Sequence, residues 1–309
     1  MRIRETVSYR GKKSLHPGIS MPALRQDELA FISEAVDFLE NPAAFMRFAQ
    51  KFSLPIEKLQ NRLPPKAQEI LHLAVDRSMH TALKIAIESL GENTEETTSW
   101  RLALEGGQKS HWLHTLAVTT TGAVGGAFGF SSILVELPIS TTIMLRSITD
   151  VARQWGENIH APETQLQCLY VFSLGTGSSR ASEHKDSHYL GSRLAFHKAL
   201  NDAIRLLAQG ASREILLGLE KNAWPQLVKL LAFIAPAFEK SMVRKLALEA
   251  VPFVGAIGGA SINAAFCHYF TQAARYHFGL LHLERSQGQS AIASLYQEAL
   301  ADLQLPKSS

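Results

Sequence analysis

The stretch SHWLHTLAVTTTGAVGGAFGFSSILV, Ser110 to Val135, contains no Asp, Glu, Lys or Arg. A second stretch, AVPFVGAIGGASINAAFCHYFTQAA from Ala250 to Ala274, shares that property. Both hold glycines at helical spacing: Gly122 with Gly126, Gly125 with Gly129, and Gly255 with Gly259, Gly258 lying beside the last pair. Glycines four apart fall on one face of a helix and let a second backbone approach closely. The reading is an all-α protein, a multi-helix bundle with two central Gly-rich apolar helices that pack through these glycines.

Helical periodicity continues outward on both sides. Leu29, Ile32, Val36 and Leu39 mark a helix over 25–40, ended by Asn41-Pro42, and a second helix follows to about residue 52. Pro65 opens a long helix that Gly91 stops. Pro138 is read as the start of a new helix, because proline suits the first turn, with Ile139, Ile143, Ile148, Val151 and Trp155 as its apolar face and Gly156 as its stop. The same grammar of proline start and glycine stop recurs at 162–174. Further helices are expected at 189–208, 225–238, 239–250 and 266–283, the last with His268, His277 and His282 along a polar face. The Gly- and Ser-rich piece 175–188 is the best internal boundary.

Three environments suit the charge-free stretches. They are long enough to cross a bilayer, but the threonines and serines of the first and Asn263, His268 and Gln272 of the second make them less apolar than spanning helices usually are. Burial as a helical pair in the core leads, followed by a hairpin resting on or in one membrane leaflet, then by spanning helices.

The 309 residues, 46% apolar and 19% charged, describe a protein able to bury a sizeable core. A net charge of +3 without a basic, aromatic-laced helix gives no footprint for nucleic acid. The opening arm, residues 1–22, concentrates Arg2, Arg4, Arg10, Lys12 and Lys13 and reads as a solvated terminus. Cys168 and Cys267 lie in apolar helical contexts and read as buried free thiols of a reducing compartment.

Chemistry finds little support. The Gly-Ser elbow of hydrolases and the phosphate loop are absent, and no metal or cofactor is expected. His111 with His114, and His184 with His188, lack convergent third ligands. Glu136, Arg146, Asp150 and Arg153 are the polar residues to watch. Together they read as a register-fixing network or as an anion site using the two arginines.

The block from Glu136 to Arg153, ELPISTTIMLRSITDVAR, resembles the signature of the bacterial EcsC family. The pieces 166–175, 189–200 and 251–270, with Arg275, His277-Phe278 and Leu283-Glu284-Arg285, agree with it. The resemblance covers about 65–290, leaving the helices of 23–64 and a tail over 291–309 outside. It implies an all-helical protein and, through the transporter system behind the family's name, a link to membranes. It carries no catalytic residue over. The leading expectation is a non-enzymatic accessory or scaffold protein, peripheral on the cytoplasmic face of the inner membrane, with lipid or a membrane protein complex as partner. A hydrolase with a cleft near Glu136, Arg146 and Asp150, and a binder of small apolar or lipid-like ligands, are the alternatives.

Overall fold

The computed structural model describes residues 24–41, 65–88, 133–174, 187–209, 224–249 and 255–304. Among them are eight α-helices and no strand: α1 Gln26–Glu40, α2 Pro65–Glu88, α3 Ile133–Gln154, α4 Pro162–Tyr170, α5 His188–Gln209, α6 Pro225–Glu249, α7 Gly255–Gln287 and α8 Gln289–Gln304. A single 3-10 turn, Val171–Ser173, extends α4. The all-α expectation holds.

Each helix is amphipathic, and the apolar stripes meet in one core. In α2 the buried residues Ala67, Leu71, Ala74, Val75, Ser78, Met79, Ala82, Leu83, Ala86 and Ile87 recur at three- and four-residue steps. α7 runs through the middle. Its Phe270 meets Phe172 and Phe238 edge-on or tilted at 5.3 and 6.0 Å, its Tyr276 meets Phe31, and its His277 meets Tyr170 and Tyr189. Such ring pairs contribute roughly 0.5–1.5 kcal/mol each beyond the area they bury.

α3 and α7 share one direction. Glu136 of α3 meets Asn263 of α7, and nineteen residues further along each segment Trp155 meets His282. Contacts that advance together along both helices mean that the two run parallel. α6 runs opposite to them: Phe238 faces Phe270, while Lys245, nearer the end of α6, reaches Glu136 near the start of α3.

Gly156 ends α3 as expected. It takes φ +80°, its N–H bonds the Arg153 carbonyl, and the Glu157 N–H reaches back to Ala152. This is the Schellman arrangement, which satisfies two carbonyls the helix would leave open.

Several boundaries differ from the sequence reading. α3 begins at Ile133, so Pro138 lies inside it rather than at its start. Pro138 is the sixth residue of the helix, where proline removes the amide that would bond the Leu134 carbonyl, and the helix continues past it. Ile139 points outward, 45% exposed, because Glu136, Ser140 and Thr141 take inward positions that polarity alone assigns to solvent. The expected helices 225–238 and 239–250 are one helix that passes through Pro236. The last expected helix starts at Gly255, not at 266. Residues 291–304 of the expected tail belong to α8, which follows the turn at Gly288 (φ +91°) and buries Ile292, Tyr296, Ala299 and Leu300.

Gly122, Gly125, Gly126 and Gly129 lie outside the described residues. So do the expected helix ending near 52, His111, His114, His184 and most of the 175–188 connection. Gly255, Gly258 and Gly259 fall in the first turns of α7. The second half of that charge-free stretch is core: Ala265, Phe266, Cys267, Phe270, Ala273 and Ala274 are buried.

Candidate functional site

α3, α6 and α7 converge on one buried carboxylate. Lys245 Nζ donates to Glu136 Oε1 at 2.9 Å, and Asn263 Nδ2 donates to the same oxygen at 3.2 Å. Only 4% of the lysine side chain and 8% of the glutamate are exposed. Taking two charges out of water is costly, and the pair repays this only through close geometry and a further hydrogen bond, which Asn263 supplies. With an ammonium and an amide on it, this carboxylate is placed to lock three helices in register. It is not placed to attack a substrate. The polar seam continues along the same two helices, where Ser147 Oγ lies 3.7 Å from Cys267 Sγ.

The other three polar residues of the expected cluster do not join Glu136. Arg146 is exposed ten residues further along α3, about 15 Å of helix away. Asp150 and Arg153 pair with each other at 3.4 Å, one turn apart. Among the described residues, no cleft gathers Glu136, Arg146 and Asp150.

A second network surrounds His277, which is fully buried. Tyr189 Oη donates to its Nδ1 at 2.9 Å, and its Nε2–H donates to Gln167 Oε1 at 3.0 Å. Burial, reinforced by the nearby Arg193 cation, holds its pKa well below the ordinary 6.5, so the ring is neutral. The expectation that His277 lines a polar face is corrected. Glu284 accepts both arms of the Arg193 guanidinium, at 2.7 and 2.8 Å. Burial also raises the Tyr189 phenol, so that side chain stays a neutral donor.

Glu40, the last residue of α1, holds the start of α5. It accepts from Ser187 Oγ, from the His188 and Tyr189 amides at 2.9 and 3.1 Å, and from Tyr296 Oη at 3.1 Å. A carboxylate at a helix N-terminus meets the positive end of the helix dipole and satisfies open amides. His188 thus contributes a backbone donor here. Among the described residues, no group of three His, Cys, Asp or Glu side chains could hold a metal ion.

Sequence reasoning missed Lys245, Asn263 and the linkage of Glu40. For two of them a signal exists. Lys245 continues the stripe Leu227, Leu231, Ile234, Phe238 and Met242, and Asn263 precedes Phe266 and Phe270 on theirs. A polar residue on an apolar helical stripe is the mark of a buried partner. Glu40 carries no such mark, because its partners come from distant segments.

Both charge-free stretches feed this site. Ser110–Val135 ends in the first turn of α3, just before Glu136, and Ala250–Ala274 holds Asn263. Because α3 and α7 are parallel, Val135 and the first turns of α7 lie at the same end of the bundle. Among the described residues, no helix is long and apolar enough to cross a membrane.

A family model described as the EcsC protein family matches residues 32–282. The match begins inside α1, earlier than the 65 read from the motifs. No curated protein and no solved structure matches the chain.

Proposed function

The chain belongs to the EcsC protein family, and we propose that it is a non-enzymatic scaffold or accessory protein that rests on the cytoplasmic face of a bacterial membrane. One observation carries this reading. The N-terminal ends of two parallel helices, clasped by Glu136, Lys245 and Asn263, lie together, and in sequence each belongs to one of the two charge-free stretches. Weakly hydrophobic segments rich in small residues are too polar to drive independent insertion but suit contact with an interface or with another helix. In this reading the buried ion pair holds the helices in register, so that the N-terminal ends of α3 and α7 are presented together.

The family's transporter association supports the membrane side by analogy only. Glu136 is paired inside the bundle while Arg146 is exposed further along α3, so the hydrolase reading draws no support from these residues. The test is fractionation of cells expressing the full chain, with salt, carbonate and detergent washes. A protein that sediments with membranes and is released by carbonate supports the proposal. A protein that stays wholly in the supernatant after gentle lysis overturns it.

A further inference from the structure

One face of α3 changes character along its length. Val135, Ile139, Thr142 and Arg146 stand at steps of four, three and four residues, so they share one stripe. Val135 is 64% exposed and Ile139 45%, and Arg146 is exposed too. Between them, Thr142 Oγ1 donates to the Pro138 carbonyl at 2.9 Å, so its hydroxyl is already satisfied by the backbone. The stripe therefore runs from two uncovered aliphatic side chains to a cation about 10 Å further along the helix, seven residues at 1.5 Å each. Its apolar end is the N-terminal end of α3, where Val135 closes the charge-free stretch of sequence.

Scattered exposed aliphatic residues are ordinary, and α5 has one in Leu194, 78% exposed. Val135 and Ile139 differ in three respects. They stack one turn apart, Val135 closes a stretch of sequence without a single charge, and the next fully exposed position on the stripe is an arginine. That order matches the depth profile of a membrane interface. Apolar side chains enter roughly 5–10 Å past the headgroups, while an arginine lays its stem along apolar surface and keeps its guanidinium at the phosphates. The positive net charge of the chain favours a leaflet of opposite sign.

Resting on the membrane-bound reading of the whole chain, the geometry points to an anionic bilayer surface as the occupant of this stripe. The N-terminal end of α3 faces the leaflet, Val135 and Ile139 enter the boundary of the acyl chains, and Arg146 meets lipid phosphates. Glu136 lies between the two aliphatic residues in sequence but on the inner face, where Lys245 neutralises it. Among the described residues, this stripe of α3 thus carries no carboxylate.

The test is flotation of the purified full chain with vesicles of phosphatidylcholine alone and of phosphatidylcholine mixed with phosphatidylglycerol. The variants are V135N/I139N, R146Q and, as an exposed-residue control, L194N. All four positions are on the surface, so the variants keep the fold, which thermal melts verify. The expected result is wild-type flotation with the anionic vesicles, a loss of about tenfold or more in V135N/I139N, a loss of about fivefold in R146Q, and no change in L194N. If the wild type floats but V135N/I139N floats equally well, this stripe is not the docking surface, while the membrane-resting reading stands. Equal flotation on neutral vesicles, with R146Q unaffected, overturns the anionic assignment. A wild type that floats with neither vesicle type overturns both readings. Self-association lost only in V135N/I139N would then assign the stripe to a protein partner.

Discussion

Lys245 Nζ lies 2.9 Å from Glu136 Oε1 in a place where neither side chain is more than 8% exposed. The pair links the far end of α6 to the first turns of α3. Lys245→Met leaves the carboxylate buried without its counter-charge and is expected to cost about 3–5 kcal/mol. The double change Glu136→Leu with Lys245→Met removes both charges and costs much less. Urea titration of the wild type, the single variant and the double variant checks this. Equal losses in the two variants refute the coupling.

Gly279 is where α1 and the end of α3 both press on α7. A Cβ there would overlap the Phe31 ring and stand 2.9 Å from Trp155 Cζ2. Phe31 cannot swing away easily, because its ring packs against Trp155 at 5.4 Å and Tyr276 at 5.5 Å. Gly279→Ala is expected to destabilise by about 1–3 kcal/mol, and Phe31→Leu in the same chain should recover part of that loss. Thermal melts of the single and double variants give the answer.

His277 sets a pH dependence. Its folded pKa is depressed, so the neutral ring is compatible with the fold and the charged one is not. An unfolded histidine takes up its proton near pH 6.5. The stabilising contribution is therefore complete above about pH 6.5 and is lost as pH falls below it, by up to about 1.4 kcal/mol per pH unit from this group. His277→Gln keeps a donor and an acceptor without titrating. Denaturant midpoints measured on either side of that pH should fall more steeply for the wild type. Parallel profiles would contradict this.

Glu40 gathers four donors from α5, α8 and the residue before α5. Glu40→Ala removes a helix-capping acceptor, which alone costs about 1 kcal/mol, and leaves the buried Tyr296 hydroxyl without this partner at roughly 1–3 kcal/mol more. Amide hydrogen exchange should quicken first at the start of α5. Uniform exchange across the chain would show that Glu40 has no local role.

The helices themselves are legible in the sequence because prolines and glycines punctuate them. Pro162 opens α4 and Gly156 closes α3 where the pattern places them. Boundaries fail where those residues do something else: Pro138 and Pro236 sit within helices that continue past them. The polar interior is less legible. A rule that turns polar residues outward assigns Ile139 to the core and Ser140 to solvent, whereas Ser140 bonds the Leu137 carbonyl and is buried. Glu136 is recognisable as unusual, yet its partners lie 109 and 127 residues away, and only the packing of α6 and α7 brings them to it.

The two cysteines acquire a practical meaning from their surroundings. Cys168 in α4 and Cys267 in α7 are both sealed in the interior, and burial pushes the Cys168 thiol up to about 12, far from the reactive thiolate. A labelling reagent can reach either sulfur only after the bundle has parted. Their modification rate is a clock for global opening, built into the native chain and readable without a probe or an engineered residue.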